Sequence, residues 1–134
     1  MTQLNLTIVK LPLDAITVYE KNARSHPQKQ IEKIAASIKE FGFNDPIAID
    51  HNNKIISGHG RLLAAKLLGM TEVPTVKISH LSKAQQKAYI IAHNKLALEA
   101  EWDDELLEAE LLELHNMDYD LGLKRIGQEQ AQEA

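Results

Sequence analysis

The chain has 134 residues, about the length of one domain, and 44% of them are hydrophobic, which excludes an intrinsically disordered chain. It has no cysteine, which excludes disulfide bonds, thiolate zinc sites and a cysteine nucleophile. The net charge of −4 argues against charge-driven DNA binding by the whole chain, although residues 21–98 sum to +7 and residues 99–134 to −10.

The N-terminal segment has no basic start followed by a long apolar run, and no stretch approaches the ~20 apolar residues that span a bilayer. We therefore expect a cytoplasmic protein without a membrane partner. Residues 6–11 predict a strand, and Pro27 suits the first turn of a helix that Gly42 ends. That helix has one apolar stripe, formed by Ile31, Ile34, Ala35, Ile38 and Phe41.

Two short apolar runs, at residues 46–50 and 54–57, flank an Asn-rich turn and predict a β-hairpin. After Gly58 the pattern predicts a short, largely buried helix, and residues 73–78 predict another strand. Ser82 and Gln85 form a capping-box pair. They open a helix that continues through Ala84, Ala88, Ile91 and Ala92 to about Leu98.

The C-terminal part predicts an acidic helix that begins at Asp103 or Asp104, carries Leu107, Leu111 and Leu114 on one face, and is anchored by Trp102. Together the elements predict a small α+β domain, with a mixed sheet and packed helices, at residues 1–98. An acidic helical extension at residues 99–126 and a disordered tail at 127–134 follow it.

The segment that carries chemistry is the turn Ser57-Gly58-His59-Gly60-Arg61, where a strand leads directly into a helix. Gly58 and Gly60 permit unusual backbone angles and close approach of another group. The amides of the first helical turn, the macrodipole and the Arg61 guanidinium all favour a phosphate, and His59 can donate or accept. A tight corner needed only for packing would show the same pattern.

The chain resembles the N-terminal domain of ParB-type partition proteins, whose fold is shared with sulfiredoxin. Residues 58–61, followed by Ala64 and Ala65, match the family's Gly-Glu-Arg-Arg phosphate motif and its small-residue helix. Residues 22–24 match its Asn-Pro-Arg element, residues 34–47 its Ala-Ser-Ile…Pro-Ile stretch, and residues 88–94 a helix ending in Glu-Asn. The resemblance implies that Asn22, Arg24, His93 and Asn94 complete a phosphate or nucleotide site with the turn. From the residues alone, Arg24 could equally lie in a solvated loop and Asn94 could cap its helix.

The resemblance also implies a ligand, CTP or another nucleoside triphosphate, and ligand-driven formation of a homodimer. His59 and His93 replace two glutamates that help to hold a CTP-bound magnesium ion in that family, and imidazole suits magnesium poorly. We therefore expect phosphate binding rather than magnesium-dependent CTP hydrolysis, with the two histidines either contacting the phosphate directly or recruiting a softer metal. Sulfiredoxin has a cysteine where His59 stands, so sulfinic acid reduction is excluded.

Domains with residues 57–61 and 93–97 of this kind resemble those of phage and prophage proteins, often in front of a DNA methyltransferase domain. The expected function is therefore phosphate binding, of a nucleotide or of DNA, in phage or plasmid DNA metabolism, with a methyltransferase as a candidate partner. Methyltransferase activity itself is not expected from this segment. Two alternatives stay open: a ParB-like metal-dependent nuclease, and a non-catalytic module that docks a partner through its acidic helix. No catalytic residue and no metal ligand can be named from the sequence.

Overall fold

The computed structural model of the protein describes residues 6–18 and 27–119. In this part the chain forms a mixed sheet with helices on both faces, which confirms the predicted α+β class. The strands are β1 (Ile8–Pro12), β2 (Ile47–Ile49), β3 (Ile55–Ser57) and β4 (Glu72–Lys77), and a 3-10 turn (Leu13–Ala15) follows β1. The helices are α1 (Gln28–Phe41), α2 (His59–Leu67), α3 (Lys83–Glu99) and α4 (Asp104–Asn116).

The sheet has the strand order β1-β4-β2-β3. Strand β1 pairs antiparallel with β4, β4 runs parallel to β2, and β2 and β3 form the predicted antiparallel hairpin. Strand β3 is an edge strand, partly covered by a bridge between Thr17 and Lys54. The chain continues from the carboxyl end of β3 directly into helix α2.

Alternation of side chains along the hairpin places helices on opposite faces of the sheet. Ile47, Ile49 and Ile55 are buried in one cluster with residues of α2 and β4. Ala48 and Ile56, which point to the other face, are buried with Ile90 of α3. Helix α1 packs its residues Ile31 and Ala35 against Ala64 of α2. This arrangement brings three helices around the end of one edge strand.

The turn of the hairpin is fixed by Asp50, a buried carboxylate whose exposed fraction is 6%. Its Oδ1 accepts hydrogen bonds from the amides of Asn52 (2.8 Å) and Lys54 (2.9 Å), and its Oδ2 accepts one from Gln86 of α3 (3.2 Å). Asn53 supplies the left-handed backbone conformation of the turn, with φ +62°. Asp50 thus ties the hairpin to helix α3.

Helix boundaries follow local capping chemistry. Ser82 and Gln85 make both hydrogen bonds of the predicted capping box, and Asp103 caps α4 by accepting from the Leu106 amide. Gly42 and Gly69 follow α1 and α2 with positive φ, and Gly42 confirms the predicted end of α1. No helix within the described ranges is both long and apolar enough to cross a bilayer.

Three predictions about packing need correction. Phe41 is 42% exposed, so the apolar stripe of α1 stops at Ile38. On α3 the buried residue is Ile90, whereas Ile91 is 66% exposed. Trp102 is 68% exposed and does not anchor α4. Leu107, Leu111 and Leu114 are half-buried on one face of α4, as predicted.

The proposed division of the chain into a domain at residues 1–98, an acidic extension at 99–126 and a tail at 127–134 stays a prediction. Residues 120–134, which contain the predicted tail, lie outside the described residues. Tyr119 ends the described part, and its hydroxyl donates a hydrogen bond to the Glu40 carboxylate on α1. This bond to the carboxylate raises the pKa of Tyr119. The acidic helix therefore returns toward α1, the helix that also contacts the predicted site.

Candidate phosphate site

The turn between β3 and α2 has a conformation that requires glycine at one of its two glycine positions. Gly58 has φ +105° and is the residue before the first turn of α2. A Cβ atom there would lie 2.9 Å from Arg61 Nη2 and 3.1 Å from Ile47 Cγ1. Gly60, in contrast, is buried within α2 and has no positive φ, so the unusual backbone angle predicted for it is wrong, while the close approach of another group at this residue stays a prediction.

The first turn of α2 points uncapped amides at the end of β3. Gly58, the N-cap residue, has no side chain to cap this helix, whose first internal hydrogen bond runs from the Leu62 amide to the Gly58 carbonyl at 2.9 Å. The amides of residues 59–61 consequently have no acceptor within the helix. They add to the ~0.5 positive charge of the helix N-terminus, which makes this end of α2 an attractive place for an anion.

A pocket of about 180 Å³ lies at this end of the helix. Its walls come from α1, β3, α2 and α3, and its lining residues are Gln30, Ile34, Ile56, Ser57, Gly58, His59, Gly60, Arg61, His93 and Asn94. Six of the eight residues predicted for the site therefore line one pocket. The two others, Asn22 and Arg24, lie outside the described residues, and their role stays a prediction.

The Arg61 side chain folds back over the turn. Its Nη2 donates to the Pro46 carbonyl at 3.4 Å, a long hydrogen bond, and its buried Nε has no hydrogen-bond partner among the described residues. Burial of the guanidinium lowers the pKa of Arg61, while the nearby Asp45 carboxylate raises it. Because an arginine keeps its proton at neutral pH in either case, the pocket contains a partly desolvated cation.

Helix α3 contributes the side of the pocket opposite the turn. His93 is exposed at the pocket, and its ring lies against Tyr89 with the ring centroids 5.6 Å apart. Asn94 is half-buried beside it. His93 and Asn94 thus line the same pocket as the turn, although 32 positions separate Arg61 from His93 in the sequence. Asn94 is five residues from the end of α3, so it does not cap that helix.

Four lining residues were not predicted as site residues. Ser57 and Ile56 belong to β3 and directly precede the turn, so their proximity follows from the motif itself. Gln30 and Ile34 come from α1, one turn apart on the same face. Their only sequence signal was the apolar stripe containing Ile34, which indicates the face that packs inward.

Acidic residues do not complete a metal site in the described part of the chain. Asp50 is engaged in the hairpin turn, and Asp45 does not line the pocket. No group of three or more His, Asp or Glu side chains within residues 6–18 and 27–119 could hold a metal ion. The lining of the pocket offers amide, imidazole and guanidinium groups, which favour an anion.

Comparison with known proteins decides the family. A model of the ParB N-terminal domain matches residues 2–95. The chain belongs to the ParB N-terminal domain family. The ParB-like nuclease domain-containing protein YnaK of Escherichia coli (strain K12) is 42% identical over 82 residues, which are 61% of this chain and 94% of YnaK.

Solved structures confirm the fold of a ParB N-terminal domain. The C-terminally truncated chromosome-partitioning protein ParB of Caulobacter crescentus, complexed with CTP-gamma-S, matches with a TM-score of 0.68 and 20% identity. The match covers 85% of this chain and 66% of that one, slightly less than two thirds. Sulfiredoxin from Arabidopsis thaliana matches with a TM-score of 0.50 and 26% identity, over 55% of this chain and 85% of sulfiredoxin.

Proposed function

We propose that this ParB N-terminal domain binds phosphate groups, of a nucleotide or of the DNA backbone, in the pocket at the N-terminus of α2. The observation that carries the proposal is the convergence of the Gly58–Arg61 turn with His93 and Asn94 in one pocket. Uncapped helix amides, a desolvated guanidinium and two imidazoles form a set of donors without a carboxylate among the described lining residues. Such a set is complementary to phosphate oxygens.

The size of the pocket supports recognition of a phosphate group rather than of a whole nucleotide. A pocket of about 180 Å³ is smaller than the ~300–1,000 Å³ of sites that enclose a drug-sized ligand. A nucleoside or a DNA strand would therefore extend beyond it. Asn22 and Arg24 are proposed to contact that extension, as the family resemblance implies. CTP is the first nucleotide to test, because the ParB of Caulobacter crescentus was solved with CTP-gamma-S.

The proposed setting is phage or plasmid DNA metabolism, in front of or beside a DNA methyltransferase. What supports this setting is the resemblance of residues 57–61 and 93–97 to such proteins. The name of YnaK includes a nuclease domain, which makes metal-dependent cleavage of DNA the alternative activity. Hydrolysis of a phosphodiester usually needs a metal ion or a positioned base, and Asp50 is already committed to the hairpin.

A second candidate function, docking of a protein partner, is favoured by exposed apolar side chains in the C-terminal helices. Leu96, Leu98, Trp102, Leu106 and Met117 are each at least 65% exposed. Leu106 lies on α4, the helix whose first turn carries the acidic residues Asp104 and Glu105. A second copy of this chain, in the homodimer that the resemblance implies, is one partner that this region could bind.

Calorimetric titration with CTP, ATP, GTP and a short DNA duplex tests the proposed function, with the Arg61→Ala variant as comparison. Removal of the guanidinium should weaken binding at least about tenfold, since a charge-assisted hydrogen bond contributes roughly 1.5–3 kcal/mol. Arg61→Lys, which keeps the charge, should bind with intermediate affinity.

Circular dichroism must show that the Arg61 variants are folded, because Arg61 also contacts Pro46. Salt-sensitive binding of DNA without binding of any nucleotide would place the DNA backbone in the pocket. Nicking of supercoiled plasmid with Mn²⁺ or Mg²⁺, abolished by Arg61→Ala, would support the nuclease. Equal binding by Arg61→Ala and the parent protein contradicts the proposal, and no binding by either leaves the docking role.

A further inference from the structure

The groups around the pocket do not suit a magnesium ion. Mg²⁺ requires oxygen ligands in octahedral geometry and usually takes them from carboxylates. In the described chain, the two side chains at the positions of the family's magnesium-associated glutamates are His59 and His93, both of which line the pocket. Neutral imidazole is a ligand for softer metals, and protonated imidazole repels any cation. A magnesium–nucleotide complex is therefore a poor match for this site.

We infer, on the basis of the proposed function, that the pocket binds its phosphate as a metal-free anion, with His59 and His93 supplying the positive charge that magnesium would otherwise provide. A glutamate at these positions repels phosphate and needs a bridging cation to offset the repulsion. A histidine donates a hydrogen bond to phosphate directly, and in its protonated form it also supplies a positive charge. The substitution thus replaces a bound cation with two titratable side chains.

The described lining residues contribute no carboxylate from any wall of the pocket. Helix α1 contributes the uncharged Gln30 and Ile34, and β3 contributes the uncharged Ile56 and Ser57. Helix α2 contributes His59 and the cationic Arg61, whose field is offset in part by Asp45 outside the lining. Helix α3 contributes His93, Asn94 and, packed on the His93 ring, Tyr89. Among the described lining residues, Arg61 carries a permanent positive charge, and the two histidines are the other side chains that can become cationic.

Proton linkage gives the expected size of the effect. An anion that raises the pKa of one histidine by one unit on binding must bind about tenfold more tightly below that pKa than above it. The affinity of the parent chain relative to that of His93→Gln should therefore rise about tenfold as the pH falls from 8 to 5.5. Excess Mg²⁺ should weaken binding, because it competes with the protein for the phosphate oxygens.

The test is calorimetric titration of the folded chain with inorganic pyrophosphate from pH 5.5 to pH 8, in EDTA or with added Mg²⁺, Mn²⁺ or Zn²⁺. His93→Gln is compared at each pH, which cancels the protonation of pyrophosphate itself. That variant should lose part of the pH dependence, whereas His115→Gln, on α4 and outside the pocket, should behave as the parent chain. The double variant His59→Glu/His93→Glu should reverse the metal response and bind pyrophosphate only with Mg²⁺.

The outcomes separate this inference from the proposed function. Pyrophosphate binding that requires Mg²⁺, or that is strengthened by Zn²⁺ or Mn²⁺, would overturn the metal-free site while leaving phosphate binding intact. Binding with the same pH dependence in His93→Gln and the parent chain would overturn the role of His93. If no condition gives binding of any phosphate ligand, the proposed function itself fails.

Discussion

Gly58 shows how one residue sets the geometry of the candidate site. Its φ of +105° is a conformation in which a side chain is strained, and a Cβ atom would press on the Arg61 guanidinium. The same glycine lets the chain turn from β3 into α2 within one residue. The position of the guanidinium and the direction of the helix amides therefore depend on the absence of a side chain here.

Gly58→Ala should destabilise the fold by about 1–3 kcal/mol and abolish measurable phosphate binding, since the guanidinium must move. Gly69→Ala is a matched control, because Gly69 also has a positive φ, +74°, but nothing lies within 4 Å of its added Cβ. Gly69→Ala should lower the free energy of unfolding by about 1 kcal/mol and should leave phosphate binding unchanged. Urea denaturation and calorimetry measure both effects; undiminished binding by Gly58→Ala would refute the proposed arrangement.

At the scale of elements, the hairpin β2–β3 depends on the buried Asp50. Burial by itself raises the pKa of Asp50, but hydrogen bonds from the Lys54 amide, the Gln86 side chain and the Asn52 amide outweigh it and leave the pKa below its usual value. A carboxylate with a lowered pKa in the folded state stabilises the fold above its unfolded pKa of about 3.9. That stabilisation is lost as the pH falls through the folded value.

Asp50→Asn should therefore lower the free energy of unfolding by about 1–3 kcal/mol at pH 7. The difference from the parent chain should shrink as the pH falls below about 4. Urea denaturation at several pH values between 7 and 3 measures it, and Asp14→Asn, at an exposed position, is the control. A difference that stays constant over the whole range would show that the charge of Asp50 is irrelevant.

Elements with strong local signals were predictable from the sequence. The capping box at Ser82, the glycine at position 42 and the Asn-rich hairpin turn each determine their structure through neighbouring residues. The buried face of α3 was not predictable, because Ile90 and Ile91 are adjacent and equally apolar. Ile90 is the buried one of the two because it packs with Ala48 and Ile56 of the hairpin. The exposure of Phe41 and Trp102 was not predictable either, because the sequence does not show whether another part of the chain packs on a large apolar side chain.

From local patterns, the candidate site was predictable only where its residues are neighbours in the sequence. The turn at residues 58–61 is local and carries its own chemistry in the order of its residues. Gln30 reaches the pocket only because α1 packs on α2, a contact between Ile31, Ala35 and Ala64. The family resemblance supplied His93 and Asn94, which no local pattern connects to the turn. The role of Asp50 depends on Gln86, 36 residues away, and had no local signal.

For the whole molecule, the fold separates the proposed phosphate pocket from the acidic C-terminal helix. No residue of α4 lines the pocket, although α4 begins with Asp104 and Glu105 and is capped by Asp103. The hydrogen bond from Tyr119 to Glu40 connects this end of the described chain to the C-terminal half of α1. The net negative charge of the chain is thus compatible with a local site for an anion.

The central claim, that the N-terminus of α2 binds phosphate, is tested most directly by NMR titration of the ¹⁵N-labelled chain with inorganic pyrophosphate. We expect the largest shifts at the amides of Gly58, His59, Gly60 and Arg61, with smaller shifts at His93 and Asn94 and none along β1. Shifts confined to lysines of α1 and α3, with the amides of residues 58–61 unchanged, would contradict the claim.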